Sequence, residues 1–189
     1  MLRTAFLAAT AAVLATQVSA LDVSDAMQDY LDNSIRAWSQ DPAIVDAIVE
    51  QNVRTAGFDG AMITDLDLAW RAEVGNANTP TIDAVLGAPL SDFLRAQVAA
   101  SGGTITEVFV MDSVGLNVGS SGVTSDYWQG DEAKFTETYG IGPDAVHFSE
   151  IEFDESSQSY QAQISIPVVD AAGAVIGAIT VGVNADSLL

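Results

Sequence analysis

Cysteine is absent from the 189 residues, and histidine occurs once, at His147. Disulfides, thiol nucleophiles, iron–sulfur clusters and zinc sites of the Cys/His kind are thereby excluded. Basic residues are almost as scarce. Arg3, Arg36, Arg54, Arg71, Arg95 and the single lysine, Lys134, stand against 26 Asp and Glu, giving a formal charge of −20. A surface of that sign repels phosphate backbones and anionic headgroups, which argues against nucleic-acid binding and against membrane binding through a basic patch. Beyond the first twenty residues no apolar run approaches the roughly 18 to 20 residues of a spanning helix. What the chain does have is 49% hydrophobic residues, enough for one sizeable core and, by default, one domain.

The amino terminus reads as an export signal. Arg3 provides a positive start, Ala5 to Ala15 is apolar apart from Thr10, and Val18-Ser19-Ala20 supplies small residues for a signal peptidase. Residues 1–20 are therefore expected to be a leader and 21–189 the exported chain, periplasmic or secreted, with no membrane span once the leader is gone.

The exported chain divides by periodicity into a mainly helical part, 21–100, and a mainly extended part, 104–183. Met27, Leu31, Ile35 and Trp38 recur at helical spacing behind Ser24 as a cap, and Asp41-Pro42 opens a second helix through Ile44, Val45, Ile48 and Val53 to Gly57. Third and fourth helices are expected at Ile63–Val74 and Ser91–Ala100, with 76–80 as a loop. After Gly102-Gly103, the β-branched and aromatic run Thr104–Met111 fits a buried strand. Two stretches, Val110 to Gly119 and Val168 to Gly177, share a template in which strand residues lead into an Asp and then a Gly three residues on. Local bonding of Asp112 and Asp170 to backbone amides makes them turn-formers of two hairpins. From Tyr160 to Val169, Gln161, Gln163 and Ser165 alternate as an outward face against Ala162, Ile164 and Ile166 inward. Helices first and antiparallel sheet last is an α+β order.

Several of these segments together resemble the Cache domains, extracytoplasmic sensor modules related to PAS domains. The likeness rests on Trp38-Ser39-Gln40-Asp41-Pro42, on Ala47-Ile48 with Gln51-Asn52, and on the hairpin Phe109–Asp112 with Gly115. It rests further on Thr124-Ser125-Asp126-Tyr127-Trp128-Gln129-Gly130-Asp131-Glu132 and on the closing Ile166-Pro167-Val168 to Gly182-Val183. The resemblance implies a long amino-terminal helix, further helices packed on a five- or six-stranded antiparallel sheet of PAS type, and a small-molecule pocket between sheet and covering loops. It implies no enzymatic activity. Members usually sit between two membrane helices of a kinase, chemoreceptor or cyclase, whereas Leu189 follows closely on the last expected strand. A signal would then leave through a separate membrane-bound partner, or through a homodimer whose seam is Met27, Leu31, Ile35 and Trp38.

The candidate ligand-binding residues are Asp126, Tyr127, Trp128, Asp131, Glu132, Lys134 and Asp154. Aromatic faces beside carboxylates attract a cation, so an amine or a zwitterion suits them. Lys134 would pair with Asp131 or Glu132, or hold the carboxylate of an amino-acid-like ligand. An equally weighted reading makes Tyr127 and Trp128 packing residues and the acids solvated. Asp154 would close the pocket from the far side, although Glu150, Glu152 and Asp154 also fit the polar face of a strand with Ile151 and Phe153 inward. Trp70 and Arg71 read as a core aromatic and a surface pair. No catalytic residues, metal site or cofactor are expected. One histidine without a nucleophile-elbow string makes no triad, and Gly140-Ile141-Gly142-Pro143 puts a proline where a nucleotide-binding helix should start. The function these residues suggest is an exported sensor module for a small polar ligand. The alternatives are a structural or interaction module with a vestigial pocket and, behind it, a carboxylate-based hydrolase.

Overall fold

The sheet has six antiparallel strands in the order β2-β1-β6-β5-β3, with β4 also paired to β5. They are β1 Ile105–Met111, β2 Asn117–Ser120, β3 His147–Phe148, β4 Glu152–Asp154, β5 Ser159–Val169 and β6 Val175–Asn184. The computed structural model describes residues 20–188, so the expected leader, apart from Ala20, lies outside the described residues. Six α-helices are described with the sheet, and the chain adopts the α+β class expected from the order of elements, consistent with the PAS type that the resemblance implies.

α1 (Ala20–Tyr30) continues without a break through a π-helical turn, Leu31–Ile35. It begins upstream of Ser24, which is therefore inside the helix and not its cap. α2 (Pro42–Thr55) starts as Asp41-Pro42 requires, with Asp41 Oδ1 accepting from Ala43 N at 2.8 Å. α3 (Gly60–Glu73) starts three residues ahead of the expected Ile63 and is capped by Asp59. α4 (Pro80–Leu86) was not expected: at seven residues it is too short to show a period, and the Glu73 carboxylate caps it from the preceding helix by accepting from Thr81 N at 2.8 Å and Ile82 N at 2.9 Å. α5 (Pro89–Ala100) and a one-turn α6 (Ala133–Thr136) complete the set. No helix among the described residues is long and apolar enough to cross a membrane.

The two faces of the sheet are used differently. Val108 and Val110 of β1, Ile164, Ile166 and Val168 of β5, and Ile179, Val181 and Val183 of β6 pack in one cluster with Met27 of α1, Leu31 and Ile35 of the π-helical turn that continues it, Ile44 and Ile48 of α2, and Leu90 and Leu94 of α5. Burying side chains of this size contributes about 1.5 to 3 kcal/mol apiece, so this is where the fold is held. Met27, Leu31 and Ile35 are thus consumed by the chain's own core, and Trp38 packs edge-on against Phe93. The expected dimer seam is not a free surface.

The opposite face carries Glu107 and Phe109 of β1, Gln161, Gln163 and Ser165 of β5, and Ala178 and Thr180 of β6. Gln161 is 3% exposed and Ser165 and Thr180 are fully buried, so this polar row does not face solvent as its alternation suggested. α6 packs on β3 and β5, with Phe135 against Phe109, Met111 and Ala178, and roofs that face.

The two Asp-Gly hairpins form as read. Asp112 Oδ1 accepts from Val114 N and Leu116 N at 3.0 and 2.9 Å, Asp170 Oδ1 from Ala172 N and Ala174 N at 2.8 and 2.9 Å, and Gly115 and Gly173 take φ of 86° and 80°. Asp112 also ties its hairpin to α2, its Oδ2 accepting from Gln51 Nε2 at 3.1 Å and Thr55 Oγ1 at 3.0 Å.

Candidate functional site

The segment between β2 and α6 is set by Asp67 of α3. Asp67 Oδ1 accepts from both Tyr127 N and Trp128 N at 3.0 Å, while its Oδ2 accepts from Arg71 Nε at 2.7 Å. Arg71 Nη2 reaches on to Asp126 Oδ1 at 3.0 Å. Helix α3 thereby fixes where Asp126 stands and which way the next two residues turn.

Tyr127 and Trp128 turn away from the cavity. The Tyr127 ring stacks on the fully buried Trp70 with centroids 5.2 Å apart and planes 7° off parallel, beside Ile82 and Val85. Burial pushes the Tyr127 phenol above its ordinary range. The Trp128 indole lies over Gly130, and its Nε1 donates to Val114 O at 2.8 Å. Of the two readings left open for these aromatics, the geometry is that of packing, and the expected aromatic box is not assembled. Trp70 is a core aromatic and Arg71 an ion-pair partner, as read from the sequence.

A cavity of about 410 Å³ opens between α6, the 124–133 segment and the strand pair β4–β5. Of the expected residues it brings together Asp126, Glu132, Lys134 and Asp154; Tyr127, Trp128 and Asp131 are not in its wall. Its remaining polar lining includes His147, Glu152, Gln161 and Gln163, none of them foreseen as site residues. Phe153 stands at the wall 49% exposed, edge-on to Tyr160, and is not the inward residue its strand pattern suggested. A second, smaller space of about 30 Å³ shares Ser125, Lys134, Asp154 and Gln163 with this wall and is lined also by Glu107 and the Phe109 ring.

The charges are unequal in number. Lys134 Nζ is 2.9 Å from Glu132 Oε2 and 3.4 Å from Gln129 Oε1, and lies 5.3 Å from the centroid of Phe109. Asp126 is answered by Arg71. Glu152, Asp154 and Glu107 have no ion-pair partner among the described residues. Burial works against ionisation of Asp154, but hydrogen bonds from Ser156 Oγ and Ser157 N, both at 2.6 Å, and the nearby Lys134 charge outweigh it, so its carboxyl sits below the ordinary range. Glu107 goes the other way. Burial and the Asp154 charge raise it, against opposing hydrogen bonds from Gln161 and Gln163 and the Lys134 charge. His147 Nδ1 is 2.9 Å from Glu137 Oε2, and among the described residues no serine is hydrogen-bonded to the ring. No three His, Asp or Glu side chains among the described residues converge as a metal site would require. The arrangement is a polar recess with uncompensated negative charge, one lysine and an aromatic floor. An excess of carboxylates beside an aromatic ring favours a cationic group over an anionic one of the same size.

No family model matches the chain, and no curated protein matches it. Solved structures similar to it include the sensor domain of the histidine kinase DctB of V. cholerae, at 13% identity over 89% of this chain and 55% of that one, with a TM-score of 0.46. Another is the sensory domain of the Campylobacter jejuni chemoreceptor Tlp3 with isoleucine bound, at 13% identity over 91% of this chain and 66% of that one, with a TM-score of 0.39. The chain thus spans between about half and two thirds of the lengths of these structures.

Proposed function

We propose that the protein is an exported sensor module whose cavity between α6 and the β4–β5 strands binds a small amine or amino acid, and that the signal passes to a separate membrane-bound partner. The observation that carries the binding reading is the uncompensated charge of Glu152 and Asp154 in a recess of about 410 Å³, a volume suited to a ligand of amino-acid size. Asp154, held ionised by Ser156 and Ser157, is the residue that meets the ligand's ammonium. Lys134 stands across the cavity, where it meets a ligand carboxylate when there is one. The sensor role follows from the resemblance to Cache domains, and the polar, roofed second face of the sheet fits the pocket which that resemblance implies.

A thermal-shift screen tests this. Ligand at about a hundred times its dissociation constant stabilises the folded state by about 2.7 kcal/mol, a rise of several degrees for a domain of this size. Ethylamine and L-alanine are expected to raise the melting temperature, and propionate, which lacks the ammonium, to leave it unchanged. A shift with propionate and none with either amine would overturn the reading.

A further inference from the structure

Glu107 is a carboxyl in the middle of a strand paired on both sides, 9% exposed. It faces Gly182 of β6, and Gln163 of β5 faces the same glycine from the other side. A side chain at 182 would fill the notch, since a Cβ there would fall 2.8 Å from Glu107 Cγ and 2.5 Å from Gln161 Oε1. Through that notch Glu107 Oε1 accepts two hydrogen bonds, from Gln161 Nε2 at 2.6 Å and Gln163 Nε2 at 3.0 Å. The Gln161 amide is oriented by its own oxygen, which accepts from Thr106 Oγ1 and Ser157 Oγ.

The other oxygen is differently placed. Ser156 Oγ lies 3.3 Å from Glu107 Oε2 but 2.6 Å from Asp154 Oδ2. A hydroxyl has one proton to donate, and the shorter contact takes it. Glu107 Oε2 is then left facing the oxygen lone pairs of Ser156, an arrangement that is repulsive for a carboxylate and satisfied for a carboxylic acid. With a proton on Oε2, the chain runs in one direction, Glu107 O–H to Ser156 Oγ and Ser156 O–H to Asp154 Oδ2, and every group in it is paired.

We propose that Glu107 carries a proton on Oε2 in the unliganded protein and releases it to solvent when a cation binds beside Asp154. This rests on the amine-binding reading of the cavity. The step balances: the bound ammonium adds one positive charge, the proton leaves with one, and Glu107 remains as a carboxylate whose Oε1 keeps both amide hydrogen bonds. Coupling is direct because Asp154 and Glu107 line the same small space and share the Ser156 hydroxyl across low-dielectric protein. The charged and titratable groups around Glu107 are Asp154 from β4, Lys134 from α6 and, across a second cavity behind β1, Arg95 from α5; Gln161 and Gln163 of β5 are uncharged. Farther round the main cavity stand Asp126, Glu132, Glu152 and His147. Burial raising the Glu107 carboxyl agrees with the hydrogen-bond argument.

Two measurements on the whole protein test the proposal. Infrared difference spectra between wild type and Glu107→Gln at neutral pH are expected to contain the carbonyl stretch of a protonated carboxylic acid; its absence would overturn the proposal whether or not amines bind. Calorimetric titration with ethylamine and L-alanine, whose ammonium groups stay charged from mildly acid to neutral pH, is the second. Affinity is expected to rise by up to about tenfold per pH unit while Glu107 is protonated, with binding heats that depend on the buffer's ionisation heat. Glu107→Gln should remove that part of the slope and of the buffer dependence. The same slope in Glu107→Gln as in wild type would overturn the proposal while leaving amine binding intact. No binding of either amine would overturn the cavity reading and the proton release with it.

Discussion

Gln163 Nε2 donates to Glu107 Oε1 across an intervening strand, over the gap left by Gly182, which pairs with both residues. A glycine in the middle strand is what lets two side chains on the strands beside it meet. The polar face of the sheet is therefore built for an inward-reaching acid, which is unlike a sheet face meant only for packing.

Replacing that glycine is the first prediction. Gly182→Ala places a methyl within 2.5 Å of Gln161 Oε1 and Thr106 Oγ1, and overpacking of this kind costs about 1 to 3 kcal/mol. Chemical denaturation should show a lower midpoint with an unchanged slope. An unaltered midpoint would mean that the notch is not filled as described.

Asp67 holds the 124–129 segment from outside it. Asp67→Ala leaves Tyr127 N and Trp128 N without their acceptor and Arg71 without one of its two carboxylates, a loss of about 1 to 3 kcal/mol for a buried unsatisfied group. The melting temperature should fall, and protease cleavage near Trp128 should become faster. Wild-type protection in the variant would contradict the anchoring role.

Trp128→Ala separates packing from recognition. The indole closes on Gly130 and Val114 and is not in the cavity wall, so stability should drop while ethylamine affinity, measured well below the melting temperature, changes by less than about threefold. A loss of affinity by ten times or more with unchanged stability would return Trp128 to the site.

The two inner carboxyls should have opposite effects on stability. Asp154 is below its ordinary range when folded, so its contribution is present above that range and is lost as pH falls through the depressed value. Glu107 is raised, so its contribution is present in acid and is lost as pH rises through the raised value. Asp154→Asn should therefore lower the melting temperature at neutral pH, by an amount that shrinks in strong acid. Glu107→Gln should gain on wild type as pH rises from acid to neutral. Scanning calorimetry over that range reads both trends, and parallel trends for the two variants would contradict the assignment.

Much of this fold could be read along the chain because its signals are local. Asp41-Pro42 caps a helix, Asp112 and Asp170 bond their own turns, and the apolar positions of α1, α2 and β5 repeat at the period of the element that buries them. The site was less legible for a physical reason. Period-two alternation in Gln161, Gln163 and Ser165 establishes that β5 has a polar face, but what covers that face is α6, a single turn brought in from about thirty residues upstream. Tyr127 and Trp128 suggested a box because they are adjacent in sequence, while their backbone amides both answer to Asp67, sixty residues away, and their rings leave in the direction that this bond dictates. Glu107 did carry a signal, a lone carboxyl within Ile105–Met111, where a central strand has no solvent to offer it.

Calorimetric titration of ethylamine into wild type and Asp154→Asn bears most directly on the cavity as a cation site. The account predicts saturable binding to the wild type, at least about tenfold weaker in the variant, a difference of about 1.4 kcal/mol. Equal affinity in the two proteins, or binding of propionate in place of ethylamine, would contradict it.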